Sequence, residues 1–298
     1  MYLKACSHQP GSKPGFQHAL KLSYNTIEKD RLSFGEGQKS LVYRYHFSDH
    51  VPKASVGVFT ALMDELSTMA CFRSSLPGPP GASVQMQTEL LTHDIQQLKD
   101  GIDIVNTVTK LGRKISHTRT EFVCPSTQRQ IAFSSHVKYM PSGSVLLDWF
   151  FSSNVLFRIY NKFYLGRLPN PPHYEETSLI KDVLQSHISF GGIGRATFHV
   201  TSEHTNPFGV MHGGMQAMVM EHVGESFARA ELKSDDILLE AIHMEFFRAV
   251  KVGGSIDVTC ENIGLAEHGS QLHIRVILLN RGKVSSEGKL RFAKSKLS

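Results

Sequence analysis

The chain has 298 residues, 41% of them hydrophobic and 20% charged, with a formal net charge of +5. That length suits one large domain or two of ordinary size and leaves room for a substantial core. The positive charge is spread without a Lys/Arg block of five or more, so nucleic-acid binding and a place in a large assembly are not indicated, and small anionic ligands suit it equally well.

Residues 1–40 form an N-terminal extension. Its first 27 residues lack Asp, Glu and Arg, and Pro10, Gly11, Pro14 and Gly15 spoil the amphipathic helix of a transit peptide. Residues 41–140 form a first structural unit. Within it "GVFTALMDELSTMACF" (57–72) is apolar on nearly every face, with Asp64 inside, and predicts a long buried helix. The runs "IDIVNTVTKL" and "KISHTRTEFV" then alternate apolar and polar residues, as half-buried strands do, with turn signals at Leu111-Gly112-Arg113 and Pro125-Ser126-Thr127. Residues 141–190 read as a linker: an amphipathic helix over 144–165, including the aromatic "VLLDWFFSSNVLF", followed by the Pro-rich "LPNPPHYEE". Asp148 and the serines keep that apolar run short of a membrane span, and none is expected elsewhere.

Residues 191–298 form the second unit. "GGIGRA" (191–196) is a glycine-rich strand entry without the spacing of a dinucleotide fingerprint. "NPFGVMHGGMQAMVMEHVGE" (206–225) predicts a second apolar helix, with Glu221 nine residues past His212. "SIDVTCEN" and "QLHIRVILL" are strands, punctuated by His268-Gly269-Ser270 and Asn280-Arg281-Gly282. The terminal Ser298 follows Ser295-Lys296-Leu297, so no peroxisomal address stands at the end. Four scattered cysteines (Cys6, Cys71, Cys124, Cys260) with no CxxC suit a reducing compartment, and sixteen histidines without HExxH give no reason to expect a metal. The expected location is intracellular, in the cytoplasm or the mitochondrial matrix.

The two units repeat each other. Gly57 matches Gly214 and Asp64 matches Glu221, each pair 157 residues apart. Downstream, 101–108 resembles 254–262, 116–122 resembles 272–278, and 129–139 resembles 282–292. One strand, one long apolar helix and four strands, occurring twice, predict an α+β protein in which curved antiparallel sheets wrap the helices.

Asn206, Gly209, His212, Gly213 and Gly214, with an acid nine residues past the histidine, resemble the hotdog-fold acyl-CoA thioesterases of the 4-hydroxybenzoyl-CoA and phenylacetyl-CoA type. "LMDELSTMA" (62–70) and "GASVQMQ" (81–87) resemble the equivalent helix and following strand. The resemblance implies a double hotdog that hydrolyses an acyl-CoA or other acyl thioester, with coenzyme A as part of the substrate and no further cofactor. It also implies a homo-oligomer, a dimer of double hotdogs. A hotdog protein can equally persist as a non-catalytic acyl-CoA binder or assembly component, which is the alternative reading.

The chemistry points to the same residues. Thioester hydrolysis builds an oxyanion, and a helix N-terminus offers unpaired N–H groups to receive it, most closely where glycine bares the backbone. Gly213 fits that role, Asn206 can add an amide hydrogen, and His212 shapes the turn or meets the sulfur side. Glu221 lies eight residues from Gly213, roughly 12 Å along a helix, whereas reacting groups must come within about 3–3.5 Å. Two antiparallel helices resolve this by placing the acid of one opposite the N-terminus of the other. The first half retains an acid, Asp64, with Thr68 and Ser83 able to orient water, but has Asp49, Ser55 and Val56 where the second has Asn206, His212 and Gly213. One working site is therefore expected from Asp64, Ser83, Thr68, Asn206, His212 and Gly213, and a vestigial one from Glu221, Ser55 and Val56. The bland reading is that the Gly-Gly pair serves close packing and the methionine stripe serves the core.

Overall fold

In a computed structural model of the chain, the described residues are 34–35, 38–47, 54–75, 81–93, 95, 98, 101–112, 114–140, 184–206, 209–265 and 270–294. Asp49, most of the 141–190 linker with its helix and Pro-rich connector, and residues 295–298 lie outside them.

Strands β1 (Phe34–Gly35) and β2 (Gln38–Tyr45) lead into helix α1 (Val56–Ser75), and then β3 (Ala82–Leu90), β4 (Ile102–Leu111), β5 (Ile115–Val123) and β6 (Gln130–Tyr139) follow. The second half runs β7 (Ile188–Gly192), β8 (Arg195–His199), α2 (Gly213–Leu232), β9 (Ile237–Phe246), β10 (Ser255–Leu265), β11 (Gln271–Asn280) and β12 (Lys283–Lys294). All strands join one antiparallel sheet in the order β1-β2-β4-β5-β6-β3-β9-β12-β11-β10-β8-β7. The order reads alike outward from its centre, where β3 pairs with β9 and Met86 sits opposite Met244. The sequence plan gives one strand before each helix. Both halves instead have two antiparallel strands there, β1 with β2 and β7 with β8, and in the second half Gly192 and Gly194 (φ +139° and +69°) fold the chain back between them. Asn280-Arg281-Gly282 closes β11 on β12 with positive φ at both Arg281 and Gly282, the backbone a tight two-residue hairpin needs.

Each helix has 20 residues. Every residue of α1 from Val56 to Thr68 is buried, so this stretch has no solvent face to make polar. The curved sheet covers it on one side and α2 on the other. The two helices run antiparallel and nearly touch: a Cβ on Gly214 would stand 2.5 Å from the Ala61 Cα, and one on Gly57 would collide with Glu221. Ser55 caps α1 by accepting the Val58 N–H at 3.2 Å, and the His212 side chain caps α2. Among the described residues no helix is long and apolar enough to cross a membrane.

Candidate active site

Close helix contact carries each acid to the start of the other helix. Asp64, only 4% exposed, accepts the Gly214 N–H through Oδ2 at 3.1 Å. Half-buried Glu221 accepts the Gly57 N–H at 3.1 Å and the Ser55 hydroxyl at 2.8 Å. The two ends differ in what surrounds them.

Around Asp64 the cluster is dense. Oδ1 accepts the Ser83 hydroxyl at 3.2 Å and lies 3.6 Å from Lys138 Nζ and 3.7 Å from His136 Nε2. Oδ2 lies 3.2 Å from His212 Nδ1. Burial alone would raise the Asp64 pKa, but His212, Lys138, His136 and the Gly214 N–H outweigh it and hold the carboxyl well below its usual range. Asp64 is held in its ionised form.

His212 sits between two acids, since its Nε2 contacts buried Glu65. Desolvation disfavours its charge, yet Asp64 and Glu65 together raise its pKa. A charged His212 donates Nδ1–H to Asp64, leaving the Gly214 N–H to the carboxylate; a neutral one accepts that N–H at 3.1 Å instead. The ring thus shapes the start of α2 in either state. His136 is pushed down to about 3, by burial first and then by Lys138, although Asp64 opposes this. A neutral His136 can donate Nε2–H to Ser83 at 3.0 Å and accept the Ser67 hydroxyl at Nδ1, 2.7 Å away.

The other expected residues are placed as follows. Gly213 opens α2, where the first-turn N–H groups lie outside the helix ladder. A Cβ there would stand 2.7 Å from Asp64 Oδ2, so glycine leaves the approach to the carboxylate clear. Asn206 closes the loop before α2: its N–H donates to the Val210 carbonyl at 2.8 Å, and its side-chain oxygen accepts the Val210 N–H at 3.2 Å. Its amide nitrogen is the end that can donate. Thr68 does not reach the carboxylate; its hydroxyl donates to the Asp64 carbonyl at 2.5 Å and accepts from Lys138. Val56, fully buried, stands first in α1 where α2 has Gly213. The sequence motif does not mark Lys138, His136, Ser67 or Glu65.

A sheet wrapped about a central helix, with an acid set against a glycine-rich helix start, is the arrangement of the hotdog thioesterases. Residues 208–284 match the family model described as the thioesterase superfamily, and the resemblance read from the Asn206–Glu221 motif holds. Solved structures agree on the hotdog fold. A protein with a hot dog fold from Alicyclobacillus acidocaldarius aligns with TM-score 0.50 and 10% identity, over 93% of this chain and 100% of its own. A protein assigned as an oleoyl thioesterase from Lactobacillus plantarum aligns with TM-score 0.55 and 12% identity, over 91% and 98%. A 12:0-ACP thioesterase from Umbellularia californica aligns with TM-score 0.52 and 5% identity, over 88% and 100%. No curated protein matches the chain significantly by sequence.

Proposed function

We propose that this chain is a double hotdog that hydrolyses acyl thioesters, acyl-CoA foremost, at one composite site built from both halves. The observation that carries this reading is the buried Asp64 carboxylate of α1 lying 3.1 Å from the Gly214 N–H at the start of α2. Base and oxyanion donors then face one small volume from two helices.

In the proposed reaction the thioester carbonyl oxygen meets the Gly213 N–H, with the Asn206 amide as second donor. Asp64 Oδ2 takes a proton from water as the water oxygen bonds to the carbonyl carbon. The tetrahedral oxyanion collapses, the C–S bond breaks, and the thiolate leaves with the proton Asp64 had taken. Acyl thioester and water become carboxylic acid and thiol. Ser83 fixes Oδ1, and His212 and Thr68 act at one remove, through the turn and through Lys138.

The opposite end of the helix pair supports only one working site. Val56 brings a branched side chain where Gly213 bares the backbone, and Ser55 stands where the other end has His212. Glu221, Ser55 and Val56 are the vestigial set.

The test is a panel of acyl-CoA and acyl-ACP substrates from short to C18, with thiol release read by a chromogenic disulfide. The panel spans the acyl groups and carrier named for the structural relatives, oleoyl and 12:0-ACP. Release from at least one substrate is expected. Tight binding of acyl-CoA with no release from any would establish the binder instead.

A further inference from the structure

Lys138 is a buried cation that the proposed reaction does not use directly. It lies on β6 and is only 4% exposed, with its ammonium held by the Thr68 hydroxyl and 3.6 Å from Asp64 Oδ1. Burying an ammonium forfeits its hydration, and apolar packing usually serves a fold as well or better.

The other half of the molecule has that apolar packing. On β5 and β6, Lys138 pairs with Ser116 and His136 with Thr118. On β11 and β12 the corresponding inward pairs are Phe292 with Leu272 and Leu290 with Ile274. Ser67 of α1, which meets His136, corresponds to Gly224 of α2, where a Cβ would meet Ile274, Leu290 and Phe292. The same fold is thus completed by Phe292 and Leu290 in one half and by Lys138 and His136 in the other. The polar version occurs only beside Asp64.

We propose that Lys138 is the positioning cation of the Asp64 carboxylate: anchored by Thr68, its ammonium keeps Asp64 ionised and draws Oδ1 toward β6, so that Oδ2 stands at the start of α2. This rests on the hydrolase reading of the site. The groups facing Asp64 are His212 from the turn before α2, the Gly214 N–H of α2, Ser83 of β3, and His136 and Lys138 of β6. Even when charged, His212 divides one charge between Asp64 and Glu65, and burial and Lys138 disfavour a charge on His136, so Lys138 is the further positive group beside these two adjacent buried carboxylates. Without it, the cluster is relieved when Asp64 takes up a proton.

The experiment follows two readouts in the full-length protein, comparing wild type with Lys138→Met, Lys138→Arg and Thr68→Val. One is the pH profile of kcat/KM for acyl-CoA hydrolysis. The other is the carboxyl titration of Asp64 by 13C NMR, assigned against Asp64→Asn. In Lys138→Met both the acid limb and the titration move to higher pH, with about a tenfold or greater gain in proton affinity. Activity lost on the acid side of the profile is regained as pH rises, and KM moves less than kcat. Lys138→Arg stays close to wild type, and Thr68→Val shifts the titration the same way by a smaller amount. An unchanged Asp64 titration in Lys138→Met overturns the proposal, as does a loss of rate equal at every pH. If Lys138→Met does not fold, an unshifted titration in Thr68→Val overturns it. If the wild type releases no thiol, the hydrolase reading fails, and the titration alone still decides what Lys138 does to Asp64.

Discussion

His136 is neutral at ordinary pH because burial and the Lys138 ammonium disfavour its charge, placing its pKa at about 3. Unfolded, the ring would titrate near its ordinary value of about 6.5. Between those values the unfolded chain binds the extra proton, so the stabilisation is complete above pH 6.5 and is lost as pH falls toward 3. Asp64 acts lower: its depressed pKa gives stability present above about pH 3.9 and lost only below it. His212, with a raised pKa, contributes fully below pH 6.5 and loses its contribution as pH rises through that raised value. The window from pH 4.5 to 6.5 therefore isolates His136. Denaturant unfolding there should show His136→Gln losing less stability on acidification than wild type, by up to about 1.4 kcal/mol per pH unit; equal slopes would contradict this. Asp64, Ser83, His212 and Gly213 are readable in the sequence, because they lie in the helix motifs or in the strand that follows α1. The sequence hides Lys138 and His136. In β6 the alternation is inverted, with Ser134, His136 and Lys138 turned inward and Phe133, Val137 and Tyr139 outward. A hydrophobicity reading assigns those polar residues to solvent. Matching 129–139 to 282–292 at constant spacing also sets Lys138 against Arg291, which pairs with Glu89, whereas the inward equivalent is Phe292.

At the scale of the helices, the site depends on how closely α1 and α2 approach. Gly214 meets the Ala61 backbone, so a side chain there must push the helices apart and carry Asp64 away from its N–H donor. Gly214→Ala should cost about 1–3 kcal/mol of stability and lower kcat/KM more than KM alone explains. A thermal melt with steady-state kinetics checks both, and an unchanged rate would show that the spacing is not needed. Both helices and the strands β4, β5, β10 and β11 are legible in sequence, since long, predominantly apolar helical runs and alternating strands leave little choice. The hairpin of β7 and β8 is less so, because a glycine-rich turn between two five-residue strands leaves too few positions to display a period.

Over the whole molecule the halves share one sheet and one core. The β3–β9 pairing joins them through backbone, and Arg291 of β12 reaches across β9 to bond Glu89 of β3 at 2.9 Å while also bonding Glu240 at 3.0 Å. That join was not legible, because pairing between strand edges leaves no mark in side-chain order. With the core continuous across it, unfolding should be one cooperative transition, with far-UV and near-UV signals coincident; two separate transitions would mean the halves are independent. In the proposed reaction, catalysis needs an acid from one half and a helix start from the other, with Asp64 as that acid. The most direct test is the turnover of Asp64→Asn beside Glu221→Gln on the best substrate of the thioester panel. Asp64→Asn should lose activity by roughly 100-fold or more while Glu221→Gln keeps most of it; an active Asp64→Asn beside an inactive Glu221→Gln would contradict the account.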